Sequence, residues 1–175
     1  MEIRTSGYSI WLEPEGEVKE KLSGVIENLA REYSTPVFAP HVTLVGGLQG
    51  TDREVIRFTR ELTSKITPYS IMLTGQVGCE EIWQKAMFVR VRETALVMAA
   101  NQLSRERFKI SGDDPYHPHL SLMYSDTIPL ERRLEIARGL NSSDITGHFS
   151  VAKIHLYKTQ GRVEEWVKLA EYNLG

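Results

Sequence analysis

The sequence predicts an α+β fold of two halves related by a pseudo-twofold, and three observations carry that expectation. Apolar periodicity alternates between the two-residue repeat of strands and the 3.6-residue repeat of helices along the whole chain. Two of the strands carry nearly the same text, Pro40-His41-Val42-Thr43-Leu44 and Pro118-His119-Leu120-Ser121-Leu122. Each is followed by a helix and two strands, which predicts two similarly built lobes. No low-complexity linker separates them, so residues 1-175 read as a single bilobal domain.

Tyr8-Ser9-Ile10-Trp11-Leu12 alternates and ends at Pro14 and Gly16, the signature of a strand. Val18, Leu22, Val25, Ile26, Leu29 and Ala30 then recur at helical spacing up to about Tyr33. Thr35-Pro36 stops that helix, because the residue before proline avoids the helical region. Pro40 to Leu48 is the first motif strand. Thr51-Asp52-Arg53-Glu54 has the spacing of a capping box and predicts a helix to about Ile66. Tyr69 to Val77 and Lys85 to Val91 read as strands joined by a turn that holds Cys79 and Trp83. Ala95, Leu96, Met98, Ala99 and Leu103 mark a helix ending near Phe108. The polar loop Ser111 to Pro115 leads into the second motif strand, through about Tyr124. Pro129 suits the first turn of a helix running to Leu140. Phe149 to Tyr157 and Glu165 to Leu174 read as two closing strands, joined by a turn at Gln160-Gly161.

A chain of 175 residues that is 41% hydrophobic and 25% charged lies in the globular range, away from disorder. A net charge of −2 argues against long nucleic acid held by bulk charge, which needs several cationic phosphate contacts. A small phosphorylated ligand is still allowed. Cys79 is the single cysteine, so no intramolecular disulfide can form, and a reducing, cytoplasmic location is expected. Met1-Glu2-Ile3-Arg4-Thr5 lacks the apolar core of a signal peptide, and no stretch approaches the ~20 apolar residues of a membrane span. The expectation is a monomer with no membrane partner.

In an extended strand, residues i and i+2 share a face. Each motif therefore presents an imidazole beside a hydroxyl, with the aliphatic residue between them buried. The bare pattern His-x-Ser/Thr is weak. Five histidines among 25 Ser and Thr in 175 residues give about 0.7 matches by chance. His148-Phe149-Ser150 is such a match, without the proline before and the leucine after that frame the other two.

Three segments carry a family resemblance: Tyr8-Ser9-Ile10-Trp11-Leu12-Glu13-Pro14, Phe38-Ala39-Pro40-His41-Val42-Thr43-Leu44, and Tyr116-His117-Pro118-His119-Leu120-Ser121-Leu122-Met123-Tyr124. With them the chain resembles the 2H phosphoesterase superfamily, and within it the cyclic phosphodiesterases of plants and yeast. The resemblance implies a two-lobed fold, each lobe an antiparallel sheet with helices on its outer face. It implies opening of nucleoside 2′,3′-cyclic phosphates to 2′-phosphates. It also implies opening of ADP-ribose 1″,2″-cyclic phosphate, a by-product of tRNA splicing, to the 1″-phosphate. The plant enzymes carry intramolecular disulfides, which one cysteine cannot form here.

That chemistry suits the residues. Opening a cyclic phosphate needs a base for the water proton and an acid for the departing ribose oxygen, and His41 and His119 can supply both. The Thr43 and Ser121 hydroxyls can donate to the phosphate oxygens as charge grows on them. The scheme requires no metal and no cofactor. The family analogues imply His119 as the base on water and His41 as the acid toward the 3′ oxygen. Tyr124 matches an active-site tyrosine of the plant-type enzymes and would touch phosphate or ligand.

Other readings stand beside these. Tyr124 also reads as a half-buried strand aromatic, and Trp83 as either a platform for a base or a loop anchor. Trp11 and Tyr116 read as packing residues, and His155 as a strand histidine. His117 shares a face with His119 and, with His41, would make a zinc triad. The intervening proline and the lack of a nearby Cys or carboxylate weigh against it. Arg105, Arg107 and Lys109 read as a solvated helix end or as steering for an anionic substrate. The alternative functions are an RNA-end-processing or 2′-5′ RNA phosphodiesterase/ligase-like relative, and a non-catalytic nucleotide- or RNA-binding module.

Overall fold

The computed structural model describes residues 4–112 and 114–175; Met1, Glu2 and Ile3 of the chain start and Asp113 of the polar loop lie outside the described residues. The strands are β1 (Tyr8–Leu12), β2 (Val42–Leu48), β3 (Tyr69–Gly78), β4 (Met87–Val91), β5 (His119–Met123), β6 (Thr146–Val151), β7 (Lys153–Lys158) and β8 (Val167–Asn173). They form one sheet in the order β6-β3-β4-β5-β2-β1-β7-β8, antiparallel at every pairing. The helices are α1 (Gly16–Tyr33), α2 (Asp52–Thr63), α3 (Ala95–Arg107), α4 (Leu130–Gly139) and the single-turn α5 (Ser142–Ile145).

Local chemistry sets the helix ends. α1 buries Leu22, Ile26, Leu29 and Ala30 and stops at Ser34, whose φ of 55° is left-handed, just before Thr35-Pro36. The capping box of α2 is formed: Glu54 N donates to Thr51 Oγ1 at 3.3 Å, and Thr51 N donates to Glu54 Oε2 at 2.9 Å. α3 starts at Thr94, whose hydroxyl accepts from Val97 N.

The two halves of the sheet, β6-β3-β4-β5 and β2-β1-β7-β8, meet where Val42 faces Leu120. The pseudo-twofold lies there, but its repeat is framed differently from the sequence expectation. Each motif strand closes a strand–helix–strand unit, β1-α1-β2 or β4-α3-β5. The strands that follow β2 do not stay with it: β3 and β4 join β5. Phe149 to Tyr157 is likewise two strands, with β6 on β3 at one edge of the sheet and β7 on β1 in the other half. The alternation of Phe149 and Val151 slips phase before Ile154 and Leu156, and that slip marks the break. Periodicity reports which face is buried, not which strand is the neighbour.

Helices cover one face of the sheet. Ile10, Leu12, Val42, Leu44, Leu120 and Leu122 are completely buried there, each worth roughly 1.5–3 kcal/mol against exposure. α1 packs on β5 and α3 on β2. Each helix thus covers the motif strand of the opposite unit, tying together halves that share only a short register. The other face of the same strands is open for a site.

Candidate active site

β2 and β5 lie side by side, and continuing their antiparallel register from Val42–Leu120 sets Thr43 against His119 and His41 against Ser121. Each imidazole therefore faces the hydroxyl of the other motif. Alternation puts all four on the helix-free face, where they line a cleft of ≈ 530 Å³ together with Trp11, Tyr124 and Lys85.

The same device orients both imidazoles. His41 Nδ1 lies 2.7 Å from the Ala39 carbonyl oxygen, and His119 Nδ1 lies 2.8 Å from that of His117. A carbonyl only accepts, so each Nδ1 carries the proton and each Nε2 is left to the cleft.

Their surroundings differ. His41 is 4% exposed, and its ring stacks 3.6 Å from Trp11, whose other face takes Tyr157 at 3.7 Å. Burial pulls the His41 pKa down to about 4, against the Ala39 hydrogen bond and the negative charge of Glu13. His119 is half-buried, with Phe88 edge-on at 5.1 Å. Burial lowers its pKa as well, the His117 carbonyl opposes that, and the Lys85 ammonium adds to it. Burial thus favours the neutral form of both rings, most strongly at His41.

The hydroxyls differ too. Ser121 Oγ donates to the Gln84 carbonyl at 2.8 Å. The Thr43 hydroxyl makes no hydrogen bond among the described residues, while the Thr43 carbonyl accepts from Tyr116 Oη at 2.9 Å. Tyr124 Oη stands 3.5 Å from His41 Nε2, and its ring stacks on Phe38.

His41, Thr43, His119, Ser121 and Tyr124 are thus brought together as the sequence expects. Trp83 joins them only at Tyr124, outside the cleft that holds the histidines. Its ring is edge-on to Tyr124 at 5.3 Å and lines a neighbouring pocket of ≈ 260 Å³. Trp11, expected only to pack, also walls the cleft and holds His41. The signal was Ser9 two residues earlier, a polar residue on the same face of an otherwise apolar strand. Lys85 was missed because it sits in a single 3-10 turn, Trp83–Lys85, too short for any periodicity.

His117 is exposed and reaches Glu93 at 3.4 Å; no three His, Cys, Asp or Glu side chains are grouped as metal ligands among the described residues. His148 is exposed on the edge strand β6, and His155 is buried in β7 near Glu13. The basic cluster is divided: Arg107 pairs with Glu61 and covers the Phe58 ring.

The sequence profile of the family described as cyclic phosphodiesterase-like protein matches residues 6–174. The chain belongs to this family. A cyclic phosphodiesterase of Arabidopsis thaliana is 28% identical over 178 residues, covering 99% of this chain and 98% of the relative. A 2′,3′-cyclic-nucleotide 3′-phosphodiesterase of Kluyveromyces lactis is 24% identical over 209 residues, covering 94% and 97%. Among solved structures, E. coli LigT complexed with 3′-AMP matches with a TM-score of 0.61 at 15% identity, covering 98% of this chain and 99% of that one. TT0787 of Thermus thermophilus matches with a TM-score of 0.63 at 14% identity, covering 98% of each chain. These likenesses establish the α+β, 2H phosphoesterase-type fold that the motifs imply. Among the described residues, no helix is long and apolar enough to cross a membrane.

Proposed function

We propose that this protein hydrolyses small cyclic phosphodiesters, namely nucleoside 2′,3′-cyclic phosphates and ADP-ribose 1″,2″-cyclic phosphate, without a metal. One observation carries the reading: two imidazoles, each locked through Nδ1 and each facing a hydroxyl of the other motif, line one cleft. The phosphate sits between them, held by Thr43 and Ser121. His119 faces solvent and takes a proton from the attacking water. The water oxygen bonds to phosphorus, the P–O3′ bond breaks, and O3′ takes a proton from His41, leaving the 2′-phosphate.

Burial alone holds His41 neutral, so its part as the acid requires the bound phosphate to raise its pKa. Burial makes a protonated His41 a strong acid, suited to a poor leaving group. The negative charge of the bound diester raises that pKa, so the proton accompanies the substrate. Family membership supports the reaction class, and the Kluyveromyces relative is named for the 3′ ester. Every residue invoked belongs to one chain, so a single-domain monomer suffices, and the lone Cys79 fits a reducing, cytoplasmic setting.

The test is to incubate the protein, with and without EDTA, with nucleoside 2′,3′-cyclic phosphates, ADP-ribose 1″,2″-cyclic phosphate and an oligonucleotide bearing a cyclic end. Opening of the small substrates that survives chelation is expected. Loss on chelation would overturn the metal-free scheme. Action on the oligonucleotide alone would move the function to RNA-end processing. Retained nucleotide binding with all substrates inert would mark a binding module.

A further inference from the structure

One buried charge has no part in this mechanism. Arg133, in α4, is 5% exposed and pairs with no carboxylate among the described residues. Its guanidinium donates through Nη1 to two main-chain oxygens, those of Glu80 and, at 3.1 Å, Ala86. Its Nε has no partner among the described residues. Burying an unpaired charge is costly, and packing alone would be served better by an aliphatic side chain at this place on α4. What the charge holds is the turn between β3 and β4. Glu80 and Ala86 are the two ends of that turn. Glu80 N donates to the Lys85 carbonyl at 3.0 Å across its neck, and the Glu80 carboxylate stands 3.5 Å from Lys85 Nζ. Two further carbonyls are taken by the second motif and the residues after it. The Trp83 oxygen accepts from Ser125 N at 3.1 Å, and the Gln84 oxygen from Ser121 Oγ at 2.8 Å. The turn is therefore gripped from two sides, by α4 through Arg133 and by the β5 segment through Ser121 and Ser125. It carries Gln84 and Lys85 into the wall of the cleft.

We propose that Arg133 is a positioning residue for the reaction, one that keeps Gln84 and Lys85 seated in the cleft wall while Ser121 turns from the Gln84 carbonyl to the phosphate. The inference rests on the proposed function, in which Ser121 makes that exchange. When Ser121 lets go, one of the two grips on the turn weakens, and the Arg133 hydrogen bonds to both of its ends remain. Lys85 then stays beside the reacting phosphate, where a fixed ammonium counters the charge that grows on the non-bridging oxygens. Without Arg133 the same exchange frees the turn, and the cation moves away as that charge develops. Arg133 thus acts on the reaction through Lys85, and a residue that merely supported the fold would not.

The experiment is a double-mutant cycle of Arg133→Met and Lys85→Met, with cytidine 2′,3′-cyclic phosphate as substrate, at a temperature well below every melting transition. Each single variant should lower kcat/KM about tenfold, and in the Lys85→Met background Arg133→Met should cost less than about twofold. An unchanged kcat/KM in folded Arg133→Met overturns the inference and leaves the proposed function standing. A tenfold loss repeated in the Lys85→Met background does the same, because Arg133 would then act by another route. Failure of wild type to open the substrate overturns the function and the inference together. Where Arg133→Met does not fold, wild type alone decides. The Glu80 and Lys85 amide hydrogens, bonded within the turn, should exchange no faster with saturating cytidine 2′-phosphate than without it. Faster exchange in that complex means the turn opens with Ser121, and overturns the inference.

Discussion

The two motif copies occupy equivalent places beside the pseudo-twofold, and their backbones orient the rings identically, yet one imidazole is sealed and the other faces solvent. His41 lies under Trp11, with Tyr157 and then Glu13 behind it. His119 has only the edge of Phe88 and the nearby Lys85 and Glu80. The difference comes from what flanks the central strands: β1 brings Trp11 beside β2, whereas Phe88 occupies the matching strand, β4, beside β5. Symmetric text thus yields two different acids and bases, as an overall hydrolysis needs.

The largest expected effect tests whether both are needed. His41→Ala and His119→Ala should each lower kcat by about 10²–10⁴, the usual contribution of a positioned acid or base. Steady-state kinetics on a nucleoside 2′,3′-cyclic phosphate, with folding checked by circular dichroism, measures it. Near-wild-type turnover in either variant would sink the two-histidine mechanism.

The hydroxyls sharpen the comparison at a smaller scale. The Thr43 hydroxyl makes no hydrogen bond among the described residues, whereas Ser121 must release the Gln84 carbonyl before it can donate to phosphate. Thr43→Val should therefore lower kcat/KM by about 10², in the range of a lost oxyanion donor. Ser121→Ala should cost only about tenfold, because its bond to phosphate replaces one already made. The reverse ranking would show that Gln84 gives up Ser121 at no cost.

How much of this was legible in the sequence follows from what each signal measures. The motif spacing places His41 with Thr43 and His119 with Ser121, because a strand alternates without reference to its partners. The β2–β5 pairing that sets each histidine against the other motif's hydroxyl is long-range, and nothing local announces it. The same holds for β3 and β4 leaving β2 for β5. Trp83 reads as either a base platform or a loop anchor because a turn has no periodicity to aim it, and only the fold sets its ring edge-on to Tyr124 beside a second pocket. Arg105 and Arg107 look equivalent on paper. Only the fold shows that Arg107 is paired with Glu61 while Arg105 is tied to the Gly112 carbonyl.

The smallest expected effect concerns what lies behind the sealed histidine. The Glu13 side chain is 7% exposed, accepts from Tyr157 Oη at 2.6 Å and from Lys168 Nζ at 3.1 Å, and has His155 Nδ1 at 3.8 Å. Burial raises its pKa, but Tyr157, His155 and Lys168 together outweigh that and keep it ionised. Its charge favours the His41 imidazolium, and through Tyr157 it braces the Trp11 ring on which His41 lies. Glu13→Gln keeps an acceptor for Tyr157 and removes only the charge. A protonated His41 then becomes less stable, so its pKa in the substrate complex falls. Because His41 must be protonated to act, the alkaline limb of the kcat–pH profile should move to lower pH, by less than about one unit. Turnover at pH 7 should drop several-fold, with KM little changed. Thr43→Val, which leaves His41's electrostatics alone, should lower the whole profile without moving either limb. An unmoved alkaline limb in Glu13→Gln would mean that Glu13 serves β1 and β7 as a structural partner and has no hold on the catalytic proton.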